Sequence, residues 1–206
     1  MAAAAALANL ARPVLNVPMA PFFIRIIAGL WVAWLISWHL AMLWRDKPTV
    51  KAPRGEYRWQ FAMIVVGLWM MYGLFPKVQP VLWTVTPALG WSMVTLTAAG
   101  IAFAWWARIH LGKLWSGGVE RMADHRVVDT GPYRLVRHPI YTGLIAGAVA
   151  LAAIQAKPWA IAGAALFAIG FILKARVEER FLEKELGGYE AYRRRVSMIV
   201  PLPKFA

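Results

Sequence analysis

The chain has 206 residues, 60% of them hydrophobic and only 16% charged, with no cysteine and a net charge of +13. That balance is too apolar for an ordinary soluble domain of this size and points to a polytopic membrane protein. It also excludes a disulfide framework, a thiolate nucleophile and a Cys-ligated metal. The basic residues lie between apolar runs rather than on one polar face. They therefore read as charge facing an anionic membrane surface, and nucleic-acid binding is disfavoured.

In chain order, residues 1–21 form an Ala-rich tail that lacks a charged start, apolar core and cleavage site in series, so it does not read as a signal peptide. Five apolar runs follow: Phe22–Leu43, Trp59–Phe75, Pro87–Ala107, Pro139–Ala156 and Pro158–Leu173. The last two, separated only by Lys157, are short beside the ~20 residues a span needs, and they predict a helical hairpin. The expected fold is all-α, a single integral-membrane domain with about five transmembrane helices. Residues 22–107 supply three generic spans, and residues 108–206 supply a polar loop, the hairpin and a C-terminal amphipathic helix.

Charge sets the expected orientation. The segments 44–58, 108–138 and 174–206 hold five, six and eight Lys/Arg, whereas the two alternate connections hold one each, Lys77 and Lys157. Five crossings bring the three rich segments to one side, which the positive-inside rule makes cytoplasmic. The N-terminus is then outside, and a bacterial inner membrane is the expected location.

The stretch DTGPYRLVRHPIYTG, Asp129 to Gly143, has the densest chemistry. Gly131-Pro132 ends any preceding helix, and Pro139 suits the first turn of a new one. Arg134, Arg137 and His138 sit just before that helix start, whose free N–H groups favour an anion such as a carboxylate or phosphate. Taken alone, His138 is an interfacial anchor and Tyr133 and Tyr141 are aromatic-belt residues.

After the fifth run, Glu178 and Glu179 come about one helical turn beyond the apolar end. Phe181, Leu182, Leu186, Tyr189 and Tyr192 then recur at three- and four-residue steps. That spacing suits a helix lying on the bilayer surface, interrupted at Gly187-Gly188. The bland reading of this tail is a charged exit helix with solvated glutamates. His39 and His110 have no second ligand at metal spacing, so no metal site is expected.

The combination of GPYRLVRHPIYTG, one hairpin, a paired EE and a Leu/Tyr-rich tail ending at Pro201 resembles the isoprenylcysteine carboxyl methyltransferase family. That family belongs to a wider group of membrane methyltransferases that includes phospholipid N-methyltransferases. LGKLWSGGV and HRVV (His125–Val128) resemble the loop preceding its motif, and the likeness covers about the last hundred residues. It implies S-adenosylmethionine as methyl donor. Carried over by position, His125, Arg126, Val127, Val128, Tyr133, His138, Pro139, Ile140, Tyr141 and Glu178 would line that cofactor, with Arg126 or Arg137 suited to its carboxylate. The implied acceptor is a lipophilic small molecule or lipid-anchored substrate, most readily a carboxylate held by Lys174 or Arg176. An amine or thiol would instead need a base such as Glu179 or His138.

This chain departs from the family pattern in three places. Lys174 stands where a substrate-side arginine falls, Leu186 replaces a phenylalanine at a shortened Gly187–Tyr189 spacing, and Gly118 lies near a loop glutamine of eukaryotic members. Besides an amine N-methyltransferase, the competing readings are an NADPH-dependent sterol-type reductase, which shares an RHPxYxG-like stretch, and a non-catalytic membrane docking protein. Membrane lipids are expected partners in every case.

Overall fold

A computed structural model describes residues 19–43, 50–51, 58–72, 80–115, 120–121 and 127–202. The N-terminal tail up to residue 18, Lys77, Gly118, His125 and Arg126 lie outside the described residues. The protein is an all-helical membrane protein. Helices α1 (Ala20–Ala41), α2 (Arg58–Met71), α3 (Pro87–Leu111), α4 (Pro139–Gln155), α5 (Pro158–Glu185) and α6 (Tyr189–Arg195) are joined by 3₁₀ turns at Gly112–Leu114 and Gly131–Arg134. One two-residue antiparallel ladder pairs Val50–Lys51 with Glu120–Arg121.

The helix starts follow local chemistry. α3, α4 and α5 each begin on a proline, where a missing N–H leaves no bond unmade. Thr86 caps α3 by accepting from the Leu89 N–H at 3.2 Å. The hairpin between α4 and α5 turns on Ala156, in the left-handed region at φ 50°, and Lys157.

The fifth run behaves differently from its apolar limits. Helix continues past Leu173 to Glu185, making α5 28 residues long, about 42 Å at 1.5 Å per residue. Its last twelve residues contain neither Gly nor Pro and are mostly Lys, Arg, Glu, Ala and Leu, which are good helix formers. The glutamate pair therefore rides on the same rigid element as the apolar run. The break comes at Gly188, whose φ of 82° costs a glycine little, and α6 starts there.

By length and composition, three helical stretches can cross a membrane: Ala20–Ala41, Pro87–Leu114 and Pro158–Glu185. α2, with 14 residues, and α4, with 17, are apolar but shorter.

The hairpin partners pack less closely on each other than on earlier helices: α4 lies against α3, and α5 against α2. Both closer contacts run through paired glycines. A Cβ on Gly100 of α3 would lie 2.5 Å from the Gly143 carbonyl oxygen, and one on Gly67 of α2 would lie 2.6 Å from that of Gly163. Lipid is as apolar as leucine and gives helices no hydrophobic drive toward each other, so close backbone approach and dispersion must supply the attraction. α4 is the most enclosed helix, with Leu144, Ala148, Ala150, Leu151 and Ile154 buried. α1 closes the other side with an aromatic row. Trp31, Trp34 and Trp38 are buried, and Trp38 stands edge-on to Trp105 and Trp115 at 5.4 and 5.3 Å.

A methyl group at the α3–α4 crossing should force the helices apart. Gly100→Ala is expected to cost about 1–3 kcal/mol. Gly29→Ala, which meets nothing within 4 Å, should be neutral or stabilising by up to about 1 kcal/mol. Thermal unfolding of the two variants in detergent checks the contrast.

Candidate active site

The site begins where the chain leaves the Gly131–Arg134 turn. Val136 bridges Ser197 in parallel, and Arg137 and His138 continue beside Ser197 and Met198. The Arg137 N–H donates to the Ser197 carbonyl at 2.8 Å and the His138 N–H to that of Met198 at 3.0 Å. Thr142 adds a hydroxyl donation to Ile199 O at 2.7 Å. The C-terminal segment is thus laid along the start of α4. Tyr192 reinforces this, its hydroxyl donating to the Tyr133 carbonyl at 2.7 Å. Burial pushes the Tyr192 and Tyr133 phenols above their ordinary range, so both remain donors.

Arg137 and Glu179 form the centre. The Arg137 Nε and Nη2 groups donate to Glu179 Oε1 and Oε2 at 2.7 and 3.0 Å, a two-pronged pair with both residues buried. The remaining Arg137 Nη1 donates to the carbonyls of Arg193, at 3.0 Å, and Val196. His138 Nε2 lies 3.1 Å from Glu179 Oε1. A carboxylate already paired with arginine can only accept, so that nitrogen carries the proton.

A second cluster lies one turn away. Tyr141 donates its hydroxyl to Glu178 Oε1 at 2.6 Å, and Lys174 Nζ donates to the same oxygen at 2.7 Å and to the Tyr141 hydroxyl at 2.6 Å. His138 Nδ1 is 3.6 Å from Glu178 Oε2. The His138 and Tyr141 rings stack at 5.3 Å and 6°. The two glutamates, adjacent in sequence, therefore face different partners.

These groups stand at the edge of a chamber of about 430 Å³, in the range of small-molecule sites. Val127, Val128, Tyr133, Arg137, His138, Pro139, Ile140, Tyr141, Lys174 and Glu178 all line it, so ten of the sequence-predicted residues converge. Glu179 sits behind the wall on Arg137. Arg176 is exposed on the outer side of α5 and does not line the chamber. His125 and Arg126 fall outside the described residues. Among the described residues no group of three His, Cys, Asp or Glu is placed to hold a metal.

Sequence reasoning missed the α1 wall: Trp34, Leu35, Trp38, His39 and Met42 line the chamber, as do Trp115 and the tail tyrosines Tyr189 and Tyr192. The 34/38/42 and 35/39 spacings are a helical face and were a signal for that wall.

The isoprenylcysteine carboxyl methyltransferase (ICMT) family model matches residues 93–184. Over that segment the chain is similar to the ICMT family. The match includes the HP-x-Y turn, α4 and the Lys174–Glu179 portion of α5, and ends just before α6. The chain is also 30% identical over 111 residues to the cobalt-zinc-cadmium resistance protein CzcN of Cupriavidus metallidurans, covering 53% of this chain and 49% of that protein. It is 47% identical over 76 residues to methanethiol S-methyltransferase of Mycobacterium tuberculosis, covering 34% and 29% respectively. With methanethiol S-methyltransferase 1 of Bradyrhizobium diazoefficiens it shares 30% identity over 151 residues, covering 66% and 51%. The chain thus spans about half the length, or less, of these relatives.

Breaking the central ion pair should expose its cost. Glu179→Met leaves Arg137 buried and unpaired and is expected to cost about 3–5 kcal/mol, whereas Arg137→Met with Glu179→Met together should cost clearly less than the sum. Denaturation of both singles and the double variant measures the difference.

Proposed function

We propose that this protein is an S-adenosylmethionine-dependent membrane methyltransferase acting on a lipophilic acceptor with a carboxylate or thiol head. The observation that carries the proposal is the chamber, with apolar and aromatic walls and one polar end formed by His138, Tyr141, Lys174 and Glu178. That end lies inside the family-matched segment.

The donor set fits the cofactor. The first-turn N–H groups of Ile140 and Tyr141 have no acceptor within the helix and suit its carboxylate. Glu178 suits its ammonium or ribose hydroxyls, and Val127, Val128 and the stacked His138–Tyr141 rings suit adenine. Arg137 is left out of this set because its donors are committed to Glu179 and two backbone carbonyls. When bound, the cofactor supplies an electrophilic methyl group on a sulfonium.

The protein's own work is alignment and exclusion of water, and orientation can supply about 7–11 kcal/mol at its extreme. Lys174 brings positive charge to the chamber and suits an anionic acceptor head, the carboxylate reading. Trp34, Trp38 and Phe171 give the lipophilic part an apolar seat. The thiol reading is favoured by two relatives that are named methanethiol S-methyltransferases. For location, the charge pattern supports a five-crossing arrangement with the α4 start and tail on the cytoplasmic side, in a bacterial inner membrane, and three of the helices are of span length. The acceptor would then reach the chamber from lipid and the cofactor from the cytoplasm.

Calorimetric titration of the detergent-purified protein with S-adenosylhomocysteine tests the reading. Binding is expected, and Glu178→Ala should weaken it about tenfold to a hundredfold through loss of charge-assisted hydrogen bonds. Binding of NADPH instead would establish the reductase reading, and binding of neither compound would leave the docking reading.

A further inference from the structure

We propose that His39 is the base that removes the proton from a thiol acceptor, so that the chamber serves a lipophilic thiol. The inference rests on the methyltransferase reading above and deepens it. His39 lies near the end of α1 and lines the chamber. An ionisable side chain within an apolar membrane helix is costly and is retained where it faces a cavity and has a task.

Its tautomer follows from its one hydrogen bond. His39 Nδ1 is 2.7 Å from the Leu35 carbonyl oxygen, which can only accept, so Nδ1 carries the hydrogen. In the neutral ring the lone pair is then on Nε2. Among the described residues, Nε2 has no protein partner. The same wall holds a second uncommitted polar atom, the indole N–H of Trp34, which is buried without an acceptor among the described residues. The α1 side of the chamber therefore offers one acceptor and one donor to a bound molecule.

On the opposite side the candidate bases each face a protein partner. Glu179 is held by both prongs of Arg137 and lies behind the wall. His138 presents a protonated Nε2 to Glu179, with Nδ1 turned toward Glu178. Glu178 Oε1 already accepts from both Lys174 and Tyr141. A carboxylate acceptor needs no base at all, whereas a thiol does. In the step, the S–H bond breaks and its proton passes to His39 Nε2. The sulfur electron pair forms the new S–CH3 bond. The methyl leaves the sulfonium of S-adenosylmethionine, whose bonding pair stays on sulfur as a neutral thioether. The imidazolium then returns its proton to water.

The test compares wild type with His39→Gln in full-length protein reconstituted into lipid. Its probes are alkanethiols and more acidic arylthiols of similar size, a carboxylate of matched chain length, and S-adenosylhomocysteine. With alkanethiol, His39→Gln should lose about 10²–10⁴-fold in turnover, and the loss should shrink steadily as the thiol becomes more acidic. Calorimetric binding of S-adenosylhomocysteine, and of alkanethiol to that complex, should be unchanged. An equal loss for every thiol, no loss, or a wild type that methylates only the carboxylate would overturn the role of His39 and leave the methyltransferase reading standing. A wild type that binds no S-adenosylhomocysteine would overturn both.

Discussion

The buried pairing of Arg137 with Glu179 is the constraint on which the rest of the site depends. Removing two charges from water costs several kcal/mol per ion unless hydrogen bonds replace the lost solvent. Here the replacement draws on four parts of the chain: Arg137 precedes α4, Glu179 lies on α5, and the carbonyls of Arg193 and Val196 belong to α6 and the tail. Satisfying the pair thus fixes those four segments together. Glu179 then orients His138, whose ring stacks on Tyr141, and Tyr141 in turn meets Glu178 and Lys174. The polar end of the chamber follows from the geometry of one guanidinium.

The chamber itself follows from how the helices pair. Glycine crossings draw α3 onto α4 and α2 onto α5, while the connection between α4 and α5 is only the Ala156–Lys157 turn. Tight contact within each pair leaves space between them, which α1 borders with tryptophans and α6 with Tyr189 and Tyr192. Small residues thereby do two things at once: they supply the dispersion contact that lipid withholds and they set where the cavity falls.

Much of the site was legible in the sequence because it is local. Gly131-Pro132 and Pro139 fix the backbone on either side of Arg137 and His138, and Val127, Tyr133, His138, Tyr141, Lys174 and Glu178 line one chamber. The extent of α5 was less legible, because the loss of hydropathy at Lys174 says where apolar character ends and nothing about where helix ends. Propensity decides that, and it favours helix up to Gly187. The glycine crossings and the α1 wall were not read, since a glycine in an apolar run and a tryptophan on a span look alike whether they face lipid, a helix or a cavity. The division of labour between Glu178 and Glu179 was hidden for a related reason. Neighbours on a helix point about 100° apart, and only the positions of α4 and the tail decide which one meets the arginine.

That angular separation organises the whole polar extension of α5. Glu178, Glu179 and Glu183 meet Lys174, Arg137 and Arg193 respectively, while Arg176, Arg180 and Lys184 are exposed at four-residue steps. Three acids turned onto partners, with Arg176, Arg180 and Lys184 turned outward, are hard to reconcile with a merely solvated exit helix, in which both signs would be scattered. Glu179 and Glu183 hold the tail through Arg193, and Glu178 lines the site. Because the same helix carries on into the apolar bundle without a break, the site's acids are fixed by the packing of α5 on α2. Their position is set by helix contacts in the bundle and does not depend on a mobile loop. A rigid mount of this kind suits a reaction that asks mainly for alignment of two bound partners.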